Sequence, residues 1–313
     1  MVKVLYVVGL GRSGSTILSN SLGQIEGFFS AGELNFLWRH NVLENRLCGC
    51  GRPFHECATW QEIMRRAFGS PDEDFAREMI RLQRAGTRTR HIPLMLAPGG
   101  WRQMEGRIGK LLVSYGRLYA AIGKVTGSRV VVDSSKEPAH GYAMSHAPGV
   151  EFYTLHLVRD PRAAAYSWQK KKRQPDTENR EYMFSSPPAR SAVMWNAWNA
   201  AAEALWRKTP DRYLRLRYED FVSNPRVSFE RILKLVGEED ARIPLTGERG
   251  VELGVSHTVS GNPNRFETGT VELREDRRWQ KEMSPRDRAL VTALTAPLLS
   301  RYGYALSPST RAL

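Results

Sequence analysis

The sequence has no long apolar run, and this shortage limits the classes of protein that it can encode. No segment approaches the roughly 18 consecutive apolar residues that a membrane-spanning helix needs. The apolar run at the N-terminus is short and leads directly into a glycine-rich loop, so it does not look like a cleavable secretory signal. These two observations predict a cytoplasmic protein without a transmembrane segment.

Acidic side chains are also scarce relative to basic ones. The 33 Asp and Glu residues face 46 Lys and Arg residues, which gives a formal net charge of +13. Such a balance favours anionic partners: nucleic acid, a membrane surface or a polyanionic small molecule. A phosphorylated nucleotide would use only part of this charge. The remaining positive charge is compatible with an acidic acceptor or with peripheral contact with a membrane.

Length and apolar content predict one α/β domain over residues 1–313. The apolar fraction of 41% is enough for a substantial core. Within the domain, residues 70–127 carry no chemical motif. Apolar residues at helical spacing between Ile108 and Ile122 predict one helix, residues 72–85 predict another, and a Pro- and Gly-rich loop over 91–101 separates them. The segment is therefore either a helical acceptor-binding insertion or lid, or plain packing against the sheet.

The stretch KVLYVVGLGRSGSTIL, residues 3–18, is the strongest local signal. An apolar β-rich run over 3–8 predicts a buried strand, and glycines at 9, 11 and 14 then loosen the backbone. Ser15 begins a predicted helix. A strand, a glycine-rich turn and a helix N-terminus together form an anion site, because free backbone N–H groups and the positive end of the helix dipole meet there.

This loop lacks the lysine of a Walker A motif. Ser15 occupies the lysine position, and the cation is Arg12, inside the loop. The pattern R-S-G-S-T directly after a strand resembles the 5′-phosphosulfate loop of sulfotransferases that use 3′-phosphoadenosine 5′-phosphosulfate (PAPS). The resemblance implies donor binding by the loop residues Arg12, Ser13, Gly14, Ser15 and Thr16.

A second motif follows the strand predicted over 152–158. It reads R-D-P-R-A-A-A-Y-S, with Arg159 before a helix capped by Asp160 and with Ser167 about two turns into that helix. A guanidinium can bind a phosphate with two parallel hydrogen bonds, and a hydroxyl can add another. The motif resembles the 3′-phosphate-binding motif of sulfotransferases. The basic run over 170–173 that follows is interpreted as a solvated helix end.

Together these motifs resemble bacterial PAPS-dependent sulfotransferases related to the tyrosylprotein and carbohydrate enzymes. The resemblance implies a P-loop-like three-layer α/β fold, with helices on both faces of a mostly parallel central sheet. It also implies roles for residues outside the two motifs. These are Glu33 as the catalytic base, Lys136 as a transition-state lysine after the strand RVVVDSS, Tyr218 at the nucleotide, and Asn262 and Arg265 on a late loop over the donor.

The implied reaction is in-line transfer of a sulfuryl group from PAPS to a hydroxyl, without a required metal. The hydroxyl could belong to a glycan, a lipid-linked sugar, a phenol or a peptide tyrosine, and no specific nucleic acid is expected. Two alternatives stay open. Asp133 could be the Walker B carboxylate of a P-loop kinase that binds a magnesium nucleotide. The second alternative is a non-enzymatic protein that binds nucleotides or nucleic acid, which would explain the positive charge without any enzymatic role.

All three cysteines lie in one segment, LCGCGRPFHECATW. Cys48, Cys50, His55 and Cys57 could supply four ligands to zinc, although such a compact set within one loop is atypical. A Cys50–Cys57 disulfide is a second interpretation, which a cytoplasmic setting disfavours. Reduced structural thiols are the third.

Overall fold

The computed structural model describes residues 1–176 and 182–306. Its main sheet contains the strands β1 (Val2–Val8), β2 (Phe28–Gly32), β3 (Val130–Lys136), β4 (Val150–Val158) and β5 (Tyr213–Arg217). Their order is β2-β3-β1-β4-β5, and each neighbouring pair is parallel. From β1 the chain goes first to β2 and β3 on one side and then crosses to β4 and β5 on the other, so the topological switch point, where open parallel sheets bind their ligands, lies beside β1.

Twelve α-helices surround this sheet in the described part of the chain. They are α1 (Ser15–Leu22), α2 (Ala58–Phe68), α3 (Glu73–Gly86), α4 (Ile92–Leu96), α5 (Gly100–Thr126), α6 (Pro138–Met144), α7 (Pro161–Gln169), α8 (Pro188–Trp206), α9 (Tyr218–Ser223), α10 (Pro225–Val236), α11 (Trp279–Glu282) and α12 (Pro285–Arg301). Short 3₁₀ and π turns over Leu34–Phe36 and Leu37–Leu43 continue the chain beyond β2.

The central strand β1 shows why helices cover both faces. Its residues are apolar without interruption, and alternate side chains enter opposite layers. Val4, Tyr6 and Val8 pack with residues of α2, α3 and α5. Leu5 and Val7 pack instead with residues of α1, α9 and α10. The predicted three-layer α/β fold is confirmed.

Two features differ from the sequence-based expectation. The segment 91–101 is not a plain loop, because it contains α4 and the first two residues of α5. A second sheet was also not predicted: β6 (Leu245–Thr246), β7 (Gly250–Leu253) and β8 (Gly269–Glu272) pair antiparallel. These strands are only two to four residues long, which is too short to produce a clear alternating pattern.

Within the ranges 1–176 and 182–306, every helix is too short or too polar to cross a bilayer.

A late segment of the chain lies beside the end of β2. Val259 forms a parallel bridge with Gly32, and its backbone carbonyl accepts a hydrogen bond of 2.8 Å from the N–H of Glu33. Gly32 has a φ of 83°, and a Cβ atom placed there would lie 2.2 Å from the Val259 carbonyl oxygen. The close approach of these two backbones therefore requires glycine.

Replacing Gly32 with Ala should lower the free energy of unfolding by about 2–5 kcal/mol, the sum of left-handed backbone strain and overpacking. Gly149 offers a matched control, since its φ is 76° and an added Cβ would meet no heavy atom within 4 Å. Gly149→Ala should lose only ~1–2 kcal/mol. Denaturant titration measures both. Equal losses in the two variants would contradict the close approach at Gly32.

Candidate functional site

Each of the five parallel strands delivers one predicted site residue at its carboxyl end. Arg12 follows β1, Glu33 directly follows β2, Lys136 is the last residue of β3, Arg159 directly follows β4 and Tyr218 directly follows β5. Because parallel strands end at the same edge, residues spread over more than two hundred positions of sequence meet there. The strand order therefore brings the predicted residues together, and each of them lies at the end of its strand or only a few residues beyond it.

These residues line one cleft of about 630 Å³, here called the strand-end cleft. Its volume lies within the range of ~300–1,000 Å³ for small-molecule sites. Of the predicted residues, the lining includes Arg12, Gly14, Ser15, Thr16, Glu33, Lys136, Arg159, Ser167, Tyr218 and Asn262. Ser13 and Arg265 are not among the lining residues.

The loop between β1 and α1 has the features of an anion site. Helix α1 begins after Gly14 without a side-chain cap, so its first N–H groups have no side-chain acceptor. Among the described residues, the buried Nη2 of Arg12 and the buried hydroxyl of Ser13 have no hydrogen-bond partner. Buried polar groups without partners are costly, which favours a site that a polyanion completes. The donor set of this loop therefore fits an anionic ligand.

Two cations of the strand-end cleft lie on left-handed backbone. Arg12 and Lys136 both have a φ of 70°, which is uncommon for residues other than glycine. Such strain costs on the order of 1–3 kcal/mol and occurs preferentially at functional sites. In both cases the strain falls on a residue that brings positive charge to the same edge of the sheet.

Glu33 and Lys136 form an ion pair across the ends of β2 and β3. The Lys136 ammonium also donates to the backbone carbonyl of Ser134 at 3.1 Å. Both side chains of the pair are only 12–13% exposed. Burial lowers the pKa of the nearby Arg12 guanidinium, and the Glu33 carboxylate opposes that shift. The Glu33 carboxylate therefore lies near two cations of the strand-end cleft, Lys136 and Arg12.

The two predicted arginine motifs are connected directly. The Arg159 guanidinium donates a hydrogen bond of 2.9 Å to the backbone carbonyl of Arg12, and it lies 4.9 Å from the centroid of the Tyr218 ring. Tyr218 in turn packs so closely on the loop that a Cβ at Gly14 would lie 2.2 Å from its ring. The loop after β1 and the motif after β4 thus form one continuous wall.

Trp168 belongs to this wall and was not predicted. Its indole N–H donates to the Gly11 carbonyl at 3.1 Å, and the Arg12 guanidinium lies 5.2 Å from the ring centroid. In the sequence, Trp168 directly follows Ser167 on α7. Tryptophan in a helix usually packs in the core, so the position of Trp168 after Ser167 carried no signal of its own.

Arg265 corrects the prediction for the late loop. Its side chain is 1% exposed and forms a salt bridge of 2.8 Å with the buried Asp176. It also donates to the Leu47 carbonyl at 2.8 Å. A guanidinium held this way stabilises the packing of three chain segments and does not face the strand-end cleft. Asn262 does line the cleft, where its side-chain oxygen accepts from Lys172 at 2.6 Å.

The basic run after α7 also differs from its interpretation as a solvated helix end. Helix α7 ends at Gln169, and Lys170, Lys171 and Lys172 then line the strand-end cleft. Burial, reinforced by the nearby Arg12, lowers the pKa of Lys172. The run therefore adds positive charge to the cleft. The sequence did not predict this, because a lysine cluster at the end of a predicted helix does not indicate in which direction its side chains point.

Another unpredicted part of the lining is aromatic. Phe36 and His40 follow Glu33 on the 3₁₀ and π turns and stack with ring centroids 4.7 Å apart, and Phe184 lines the same cleft. In contrast, residues 70–127 supply none of the described lining residues. Helices α3 and α5 contribute instead to the core beneath the sheet. An acceptor-binding role for 70–127 stays a prediction.

Asp133, the candidate Walker B carboxylate, lies outside the lining of the strand-end cleft and is fully buried. It accepts hydrogen bonds from the Tyr119 hydroxyl at 2.7 Å and from the Ser135 N–H at 3.0 Å. Burial raises its pKa to about 6. These bonds fix the carboxylate between α5 and the last residues of β3, so its geometry does not favour the kinase alternative.

The cysteine segment differs from the predicted zinc set. All three cysteines are free thiols in the structure. The ring of His55 turns away, with its Nε2 atom 3.0 Å from the Val42 carbonyl. His257, two hundred residues later in the sequence than Cys57, lies beside the thiols in its place.

Comparisons with known proteins agree with this architecture. The sulfotransferase domain from the curacin biosynthetic pathway aligns with a TM-score of 0.57 and 16% identity, covering 98% of this chain and 99% of that one. The sulfotransferase domain of the Synechococcus PCC 7002 olefin synthase aligns with a TM-score of 0.57 and 20% identity, covering 97% and 96%. No curated protein matches the chain significantly. At these identities, the two solved structures support the fold alone.

The sulfotransferase family model matches residues 5–242, which include most of β1, all of β2 to β5 and all of the strand-end residues described above. Because this match spans well over half of the 313 residues, the chain belongs to the sulfotransferase family.

Proposed function

We propose that the protein transfers a sulfuryl group from PAPS to a hydroxyl-bearing acceptor. The observation that carries the proposal is the convergence of Arg12, Glu33, Lys136 and Arg159 on one cleft, with the two arginine motifs in direct contact. When bound, PAPS supplies the sulfuryl group and departs as adenosine 3′,5′-bisphosphate (PAP). The family membership implies a transfer of this kind.

Two anion sites of the protein would bind the two ends of the donor. Arg12, the N–H groups of the loop and the Ser15 and Thr16 hydroxyls would hold the 5′ end, where charge develops on the leaving oxygen. Arg159 and Ser167 would hold the 3′-phosphate. The second site distinguishes PAPS from ATP, which has no 3′-phosphate. Tyr218, between Arg159 and the loop, supports both sites.

Glu33 and Lys136 suit the proton and charge transfers of this reaction. Glu33 would accept the proton of the acceptor hydroxyl as its oxygen bonds to sulfur. Lys136 would neutralise charge on the transferring group. In the structure the two groups neutralise each other. An anionic donor that attracts Lys136 would therefore release Glu33 to act as a base, which couples donor binding to activation of the acceptor.

The aromatic residues near Glu33 define the side on which an acceptor would enter. Phe36 and His40 follow Glu33 along the chain, and Phe184 lines the same cleft from the segment after α7.

Incubation of the enzyme with labelled PAPS and a panel of glycans, lipid-linked sugars, phenols and tyrosine peptides tests the proposal. Transfer of label to any hydroxyl supports it. Transfer to none, together with a thermal shift larger for ATP and magnesium than for PAP, would contradict it.

Arg159→Ala should weaken PAP binding about 10–100-fold, because hydrogen bonds to charged groups contribute roughly 1.5–3 kcal/mol. Binding of adenosine 5′-monophosphate, which lacks the 3′-phosphate, should change little. Isothermal titration calorimetry measures both ligands. Exposed Arg66 provides a control, since Arg66→Ala should leave both affinities unchanged. An equal loss for both nucleotides would assign Arg159 to loop support through the Arg12 carbonyl rather than to the 3′-phosphate.

A further inference from the structure

Three thiols and one imidazole converge outside the strand-end cleft. The ligand atoms of Cys48, Cys50, Cys57 and His257 all lie within 4.8 Å of one another. The Nδ1 atom of His257 is 3.3 Å from the Cys57 sulfur and 3.8 Å from the Cys48 sulfur. Cys48 and Cys57 are buried, whereas Cys50 and His257 are partly exposed. No step of the proposed transfer uses these groups.

We propose that these four side chains bind one zinc ion as a structural site. Three cysteines and one histidine form a common structural zinc set, and four protein ligands leave no open position for a substrate. With Zn–S bonds of about 2.3 Å and Zn–N bonds of about 2.0–2.1 Å, tetrahedral geometry separates sulfur from nitrogen by about 3.6 Å. The two observed separations lie on either side of this value.

The backbone around the cysteines is already shaped to present them together. The Cys48 N–H donates to the Arg52 carbonyl at 2.8 Å, and the Gly51 N–H donates to the Cys48 carbonyl at 2.9 Å. Gly51 completes this turn with a φ of 81°. The tight turn places the sulfurs of Cys48 and Cys50 on the same side, so little reorganisation is needed for both to bind one ion.

Contacts outside the ligand set hold the histidine in position. The Gly49 N–H donates to the Thr258 carbonyl at 2.9 Å, which joins the cysteine turn to the residue after His257. The Thr59 hydroxyl lies 3.3 Å from Nε2 of His257. Since Nε2 has this partner, Nδ1 faces the thiols. Hydrogen bonds to the second ring nitrogen orient metal-binding histidines in the same way.

The ion would connect two distant parts of the chain beside the reactive carboxylate. Beyond His257, Val259 pairs with Gly32, and the Ser260 hydroxyl contacts His40 at 3.2 Å and Asn41 at 3.1 Å. Zinc would thus fix the late segment against the strand that delivers Glu33. This consequence for catalysis rests on the proposed function, whereas the metal site itself does not.

The metal content of the full chain tests the site. The protein is purified under reducing conditions, equilibrated with zinc, dialysed and analysed by mass spectrometry for zinc. We expect about one zinc per chain in the wild type and in His55→Gln, because His55 is bonded elsewhere. Zinc content should fall at least ~10-fold in His257→Gln and Cys50→Ser, since each removes one of four ligands.

A second measurement uses only the wild-type sequence and so does not depend on how the variants fold. The metal-free protein is titrated with Co²⁺, and intense visible absorption typical of tetrahedral thiolate coordination should saturate at about one equivalent. Zinc-free wild type, unaltered zinc in His257→Gln, loss of zinc in His55→Gln or a disulfide found by alkylation would overturn the proposal. Zinc-loaded protein that fails to bind PAP would contradict the proposed function and leave the metal site intact.

Discussion

Replacing Glu33 with Gln should lower kcat at least ~100-fold, because positioned general bases contribute typically 10²–10⁴-fold. Gln has nearly the same shape as Glu, and its side-chain oxygen can still accept a hydrogen bond from Lys136. It cannot accept the proton of an acceptor hydroxyl. PAP affinity should therefore stay close to that of the wild type. Steady-state kinetics with labelled PAPS and calorimetry with PAP measure the two effects separately.

Glu26 provides the matched control for this experiment. It lies seven positions earlier in the sequence and its side chain is exposed, so Glu26→Gln should retain wild-type turnover and PAP affinity. Near-normal sulfation by Glu33→Gln would rule out the base assignment. A parallel loss of turnover and PAP affinity would instead indicate that Glu33 acts by holding Lys136.

Removal of the Arg12 guanidinium should have an effect of similar size. Loss of one preorganised donor at a developing negative charge costs about 10²–10³-fold in kcat, and Arg12 is half-buried at the point where the loop meets Glu33 and Lys136. Arg12→Ala should therefore lower turnover by at least ~100-fold. Arg12→Lys should recover part of it, since Lys restores the charge but not the planar fork.

The exposed Arg207 supplies a control with the same loss of charge. Arg207→Ala should leave turnover unchanged. Denaturant unfolding of Arg12→Ala separates a catalytic loss from a folding loss. Alanine keeps the Cβ and so the same left-handed strain, and the Nη2 atom that is removed has no hydrogen-bond partner, so the stability should stay near that of the wild type. Wild-type turnover in Arg12→Ala would contradict its role at the leaving oxygen.

Runs rich in β-branched and other apolar residues made the strands predictable. The runs before Gly9, Lys136 and Arg159 are buried on both faces, so they carry no alternation but stand out by composition. The order of the strands was not predictable from these runs. The order depends on which strands pair across long distances in the sequence to bury apolar surface, and a local sequence pattern does not indicate a strand's neighbours.

The candidate site was predictable where a motif joins a strand to a helix. Arg12 and Arg159 both occupy such positions, and the structure brings both to the strand-end cleft. Arg265 and His55 were misassigned, because a charged or metal-binding side chain close to a motif in sequence can point into the core or toward a backbone carbonyl. The histidine that does approach the thiols is two hundred positions away, beyond the reach of spacing rules.

The delivery of one residue by each strand end also has a consequence during synthesis. Tyr218 and Asn262 emerge from the ribosome long after the loop that contains Arg12, so a nascent chain cannot form the whole lining of the strand-end cleft until synthesis has passed residue 262. A nucleotide that binds only the finished site stabilises the native state by mass action. Saturation with PAP would therefore protect the completed fold from proteolysis while leaving truncated translation products open to degradation.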